Sequence, residues 1–190
     1  MQIPSMETLD LHGKKTMIRL DLNVPLKDGN VTSDARIQAA LPTIQMAIDK
    51  GAKVILLSHL GRPDPDNLDG SFSLEPVAKK LQEILNINVS FQPNWLDRIK
   101  EESQGIVLCE NIRYEAGEKK NDESLSKQIA DLCDVYVMDA FGASHREHSS
   151  TYGVLKYAKE GCIGPLLSKE VTSIRKAIDD PQAPVTAIIG

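Results

Sequence analysis

The chain has 190 residues, 41% of them apolar and 26% charged, with 22 Lys and Arg against 27 Asp and Glu and a net charge of −5. This composition excludes disordered, collagenous and coiled-coil chains, and the length suits one domain, or one domain with a piece of another, whose core needs no disulfide staples. The acidic balance argues against non-specific nucleic-acid binding, which needs a basic stripe, and no apolar run approaches the roughly 20 residues of a membrane span.

The opening MQIPSMETLD has neither the basic nor the apolar region of a secretory signal. The first predicted strand is Thr16–Leu22, followed by a long loop over Lys27–Asp34. Leu41, Ile44 and Ile48 then share one helical face, and Gly51 stops that helix. A strand follows at Val54–Leu57. The second helix carries Val77, Leu81, Ile84 and Leu85, with Ser73 as its N-cap. A weaker strand at Val89–Phe91 and a short helix near Trp95–Lys100 lead to the strand Ile106–Cys109. Asn121-Asp122 opens a third helix through Leu125, Ile129 and Leu132, before the strand Val135–Met138. Leu167, Val171, Ile174 and Ile178 make the stripe of a fourth helix, which Asp179-Asp180-Pro181 ends. A last apolar run spans Val185–Ile189.

The runs Val54–Leu57 and Val135–Met138 are continuous rather than alternating, as in strands buried on both faces. Strands alternating with helices predict right-handed βαβ units: an α/β fold with a parallel sheet covered on both faces, a Rossmann-like three-layer sandwich. Ligands of such sheets bind at the carboxyl ends of the strands.

Those ends carry Asp21-Leu22-Asn23, Ser58-His59-Leu60-Gly61-Arg62, Glu110-Asn111-Ile112-Arg113 and Asp139-Ala140-Phe141-Gly142 with His145-Arg146 close behind. Only seven of the 22 basic residues are arginines. Arg62, Arg113 and Arg146 follow strands, Arg36 follows the first long loop, and Arg19, Arg98 and Arg175 lie within predicted elements. Guanidinium grips phosphate and carboxylate bidentately, whereas ammonium is a mobile point charge. Arginines concentrated on one sheet edge of an acidic protein point to a pocket for a small polyanion. The plainer alternative for each arginine is an ion pair in a polar loop, and for Asp21 it is a carboxylate that holds an arginine in place. Asp21 could also accept from a substrate hydroxyl, with Asn23 beside it as donor and acceptor.

The chain has no G-x-x-x-x-G-K-[ST] loop, G-x-G-x-x-G fingerprint or G-x-S-x-G elbow. Cys109, Cys133 and Cys162 are odd in number and widely spaced, which reads as buried reduced thiols of a cytoplasmic protein. His12, His145 and His148 show no metal spacing and read as structural or surface residues, so no metal site is expected.

The segments RLDLNVPL (19–26), DARIQAALPTI (34–44), LLSHLGRP (56–63), LCENIRY (108–114), MDAFGASHREHSST (138–151) and LLSKEV (166–171) resemble the phosphoglycerate kinase family, in its order and spacing. The resemblance covers essentially the whole chain. It implies a monomeric glycolytic and gluconeogenic enzyme of two α/β domains, transferring a phosphoryl group reversibly between 1,3-bisphosphoglycerate and ADP to give 3-phosphoglycerate and ATP. Residues 1–168 would be the 3-phosphoglycerate domain, 169–180 most of the interdomain helix and 184–190 the first strand of the nucleotide domain. Arg62, Arg113 and Arg146 with His59 would hold the non-transferring phosphate. Asp21 and Asn23 would fix the glycerate hydroxyl and carboxyl end, and Arg36 would be the catalytic group at the transferring phosphoryl. Mg-ATP or Mg-ADP would sit on the second domain, with no cofactor on these residues, so that they are inactive alone. The family's continuation Gly-Ala-Lys is not in the sequence, which ends at Gly190, and Cys162-Ile163-Gly164-Pro165 departs from the Ala-Gly of the family. The competing readings are a free-standing anion-binding module without catalysis and a structural remnant that binds nothing.

Overall fold

A computed structural model of the chain describes residues 4–100, 105–179, 181 and 186. Six strands form one parallel sheet: β1 (Lys15–Leu20), β4 (Lys53–Leu57), β5 (Val89–Gln92), β6 (Ile106–Cys109), β7 (Val135–Asp139) and β8 (Gly161–Ile163). Their order across the sheet is β5-β6-β4-β1-β7-β8. β2 (Leu26–Lys27) and β3 (Asn30–Val31) make a small antiparallel hairpin apart from it. The helices are α1 (Ala35–Asp49), α2 (Glu75–Leu85), α3 (Glu123–Asp131), the single turn α4 (Phe141–Ser144) and α5 (Pro165–Asp179).

The sheet divides two apolar layers, because alternate strand residues face opposite ways. Ile18, Leu20, Val54, Leu56, Leu108, Val135 and Val137 pack with Ile37 and Ile44 of α1 and Val77 and Leu81 of α2. Met17, Ile55, Leu57, Val107, Cys109 and Tyr136 face the other way, onto Leu125 and Ile129 of α3 and onto Trp95. The α/β three-layer fold expected from the strand and helix rhythm is therefore the observed one. Among the described residues, no helix is long and apolar enough to cross a membrane.

The register shows why one edge matters. Arg19 lies beside Leu57, and Leu20 beside Asp139. Parallel strands in this alignment deliver Asp21, Ser58-His59, Glu110-Asn111 and Ala140 to the same rim.

Several local expectations need correction. The short helix near Trp95–Lys100 is a turn followed by irregular chain: Trp95 is buried as a single anchor, and Gln92 holds the backbone of Lys100 through both its side-chain nitrogen and its oxygen, 2.7 and 2.9 Å. The loop over Lys27–Asp34 contains the β2–β3 hairpin, turned by Asp28 and Gly29 at positive φ. β8 has no counterpart among the strands expected from the sequence. Its three residues carry too little pattern alone, and it forms because β7 and the segment beginning at Pro4 pair with either side of it. The N-cap of α2 is Leu74, with the Ser73 hydroxyl accepting from Glu75 N at 3.2 Å. Asp122 caps α3 as expected, its carboxylate accepting from Leu125 N at 2.8 Å. On α5, Leu167 is buried, but Ile174 and Ile178 are 42% and 71% exposed, so the distal stripe faces no core among the described residues. The run Val185–Ile189 lies outside the described residues but for position 186.

Candidate functional site

The rim loops are built by side chains that stitch one strand end to the next. Ser58 Oγ accepts from Leu22 N and donates to Leu20 O, both 2.9 Å, which joins the exits of β1 and β4. Asn111 spans the exits of β4 and β6: its Oδ1 accepts from Leu60 N and Arg113 N, and its Nδ2 donates to Leu60 O and Phe72 O. Glu110 accepts from Ser73 Oγ and Leu74 N, both 2.8 Å, which ties the start of α2 to the same rim.

Gly61 is the node of this scaffold. Its N–H donates to Asn23 Oδ1 at 2.8 Å, and its carbonyl accepts from Arg113 Nη1. Its φ is +58°, and a Cβ there would lie 2.1 Å from the Phe72 ring. Only glycine takes this backbone turn without strain and without displacing Phe72.

On this scaffold the expected residues come together. His59 is buried, and the guanidiniums of Arg19, Arg113, Arg146 and Arg36 all act on it. Arg113, also buried, feels Arg146, Arg19 and Arg62. Asp21 meets Arg36 in an ion pair and accepts from Asn23 N at 3.2 Å. The plainer reading of Asp21 as an arginine's partner is thus realised in this structure. Arg62 and Arg146 have no side-chain partner among the described residues. Five guanidiniums, those of Arg19, Arg36, Arg62, Arg113 and Arg146, gather here; among the described residues Arg36 pairs with Asp21 and Glu118 acts on Arg113, while the other guanidiniums act on His59 and on one another. The surplus is positive on a protein whose net charge is −5. A pocket lined by Asn23, Val24, Leu26, Leu60, Gly61 and Phe72 lies beside the site and includes none of the arginines.

Burial first, and then the surrounding guanidiniums, depress the His59 imidazole to about 2. The unfolded chain would take up a proton near the ordinary histidine value, about 6.5, that the native state refuses. Stability from this group is therefore complete above about pH 6.5 and falls as the pH drops, by up to about 1.4 kcal/mol per pH unit. In a His59→Gln variant the loss of stability between pH 6.5 and 5 should be shallower by nearly one proton's worth. Denaturant unfolding across that range measures it, and equal slopes in the two proteins would place a charged imidazole in the native state.

Sequence reasoning missed Arg19, Glu118 and Ser150. Arg19 Nε donates to Ser150 Oγ at 3.0 Å, Nη1 donates to Leu20 O, and Nη2 lies 3.0 Å from His59 Nδ1. A signal existed for Arg19, since a charge inside the apolar strand TMIRL must find a partner when buried. None existed for Glu118 or Ser150, which lie in irregular chain far from Arg19 in sequence. Asp139 turns away from the site: Thr43 Oγ1 donates to its carboxylate at 2.5 Å and Leu167 N at 2.8 Å, so it holds the start of α5. All three cysteines are free and buried, and burial pushes the Cys133 and Cys162 thiols up to about 12, which keeps them protonated.

The family model described as phosphoglycerate kinase matches residues 6–190. The phosphoglycerate kinase of Francisella tularensis subsp. novicida (strain U112) is 51% identical over 190 residues, covering 100% of this chain and 48% of the relative. A solved structure of phosphoglycerate kinase from Coxiella burnetii superposes with a TM-score of 0.91 at 49% identity, over 96% of this chain and 47% of that one. The enzyme from Pyrococcus horikoshii OT3 superposes at 0.85 with 31% identity, again over 96% and 47%. The chain spans about half the length of the relatives it matches.

Proposed function

The chain belongs to the phosphoglycerate kinase family, and from that premise we propose that it forms the substrate-binding half of an enzyme transferring a phosphoryl group between 1,3-bisphosphoglycerate and ADP. Residues 1–168 are its 3-phosphoglycerate domain, 169–180 most of an interdomain helix and 184–190 the first strand of a nucleotide domain, the last falling almost wholly outside the described residues. The exposed Ile174 and Ile178 on α5 support a helix with a second packing partner. The enzyme is read as a cytoplasmic monomer.

The observation that carries this reading is the surplus of guanidiniums around a neutral, buried His59. Arg62 and Arg146, unpaired among the described residues, join Arg113 and His59 in holding the non-transferring phosphate. Asn23 is locked by Gly61 N on its Oδ1, so its Nδ2 is the group turned to the substrate's carboxyl end. Asp21 accepts from the substrate hydroxyl.

In the direction that forms the acyl phosphate, the acceptor is already a carboxylate and needs no general base. Positioning and charge neutralisation are nearly the whole of catalysis in such a transfer. Arg36 supplies the second of these. Its own side chain is half exposed where it meets Asp21, whose side chain is 21% exposed, and pairs open to solvent are weak, roughly 0–1 kcal/mol, so the guanidinium can leave Asp21 for a phosphoryl group at small cost. In this direction Mg-ATP, the family's nucleotide, would supply the phosphoryl group and a divalent charge, and in the reverse direction Mg-ADP would accept it. Among the described residues no cluster of three or more His, Cys, Asp and Glu could hold a metal ion, and no phosphate loop is present, so these residues do not fit a nucleotide site.

A polypeptide of residues 1–190 is therefore expected to bind 3-phosphoglycerate weakly and to transfer no phosphoryl group. Mixing it with a separately made nucleotide domain should restore turnover in a coupled ADP/ATP assay. Turnover by the polypeptide alone would overturn the half-enzyme reading, and a flat calorimetric titration would overturn the substrate site.

A further inference from the structure

Behind the arginines lies a buried carboxylate. Glu118 begins a single 3-10 turn, Glu118–Lys120, and is 1% exposed. Its Oε1 accepts from Ser150 Oγ at 2.6 Å and its Oε2 from Ser150 N at 2.9 Å. Ser150 is itself fully buried, and Tyr136 OH donates to its carbonyl at 2.5 Å. Its hydroxyl accepts from Arg19 Nε, and Arg19 continues to His59 Nδ1.

The donors in this chain can run only one way. A hydroxyl has one hydrogen, which Ser150 gives to Glu118, so toward Arg19 it can only accept. A guanidinium has five N–H donors and no acceptor, so toward Arg19 the imidazole must accept at Nδ1. The single proton of a neutral imidazole then lies on Nε2. Each link fixes the next, from a carboxylate on one loop to a histidine on another.

We infer that Glu118 and Ser150 are positioning residues for the anion pocket, acting through Arg19 to hold His59 as an Nε2–H donor. The inference rests on the assignment of His59 to that pocket. A neutral donor there gives a ligand phosphate one hydrogen bond without adding a charge to a ring of guanidiniums that already repel one another. Glu118 also supplies the countercharge that steadies Arg113, and His148 Nδ1 lies 3.7 Å from its Oε1.

Long-range ¹H–¹⁵N spectra of the histidine rings report the tautomer directly. In the ¹⁵N-labelled protein at pH 7, His59 should show a pyridine-type Nδ1 and a pyrrole-type Nε2. In Ser150→Ala, which removes the hydroxyl link and keeps the buried carboxylate, both ring shifts should move toward the tautomer average. Affinity for 3-phosphoglycerate should fall by up to roughly 10- to 150-fold, the loss of one charge-assisted hydrogen bond. Glu118→Gln should do the same, and if it fails to fold, Ser150→Ala decides. An Nδ1–H tautomer or an imidazolium in the unaltered protein overturns the inference, as do unchanged ring shifts in folded Ser150→Ala. Absence of 3-phosphoglycerate binding by the unaltered protein would overturn the site assignment instead, and the ring shifts would still decide the positioning role.

Discussion

Replacing Arg36 by alanine is expected to lower kcat by roughly 100- to 1,000-fold in the complete enzyme, with only a modest change in the dissociation constant for 3-phosphoglycerate. The asymmetry follows from where Arg36 sits. It is in the first turn of α1, beyond the β2–β3 hairpin, and its guanidinium is half exposed and paired to Asp21. On the proposed assignment a ground-state ligand phosphate already has Arg62, Arg113 and Arg146 to meet. Arg36 is the arginine free to respond when charge spreads over the transferring group, and only interactions stronger in the transition state than in the ground state raise kcat. Steady-state kinetics beside a binding titration separate the two effects. A variant with normal kcat and a ruined dissociation constant would assign Arg36 to ground-state binding.

Arg113→Lys should weaken 3-phosphoglycerate roughly 10- to 150-fold, about 1.5–3 kcal/mol, although the charge is kept. Arg113 is held on both sides: Asn111 Oδ1 accepts from its backbone N–H at 3.1 Å, and Gly61 O accepts from its Nη1. One arm of the guanidinium is thereby spent on the scaffold, and the other nitrogens stay presented in a fixed plane. Lysine has a single ammonium at the end of a flexible stem. It can satisfy Gly61 or the ligand but cannot reproduce the bidentate geometry. Calorimetry on the folded variant checks this, and an unchanged affinity would remove Arg113 from the pocket.

Much of this protein is legible in its sequence. The parallel sheet follows from the continuous apolar runs Val54–Leu57 and Val135–Met138, because only strands buried on both faces tolerate them. The location of the candidate site then follows from topology, since parallel strands deliver Asp21, His59, Arg113 and Arg146 to one rim whatever the details of the loops. The cap of α3 is equally visible, because Asp122 acts on its own next turn.

What the sequence could not supply is whatever depends on partners distant in the chain. β8 exists only because β7 and the amino-terminal segment flank it, and the turn at Trp95 is settled by Gln92 and by the layer that buries the indole. Ile174 and Ile178 have the spacing of a core stripe, yet spacing says that a face is apolar and not what covers it. The tertiary structure alone decided that Arg19, inside a strand, joins His59 to Ser150 and through it to Glu118, and that Asp139, at a strand end, faces α5 instead of the arginine-lined rim. Burial makes each of those charges find a partner, and which partner is near is a property of the fold and not of neighbouring residues.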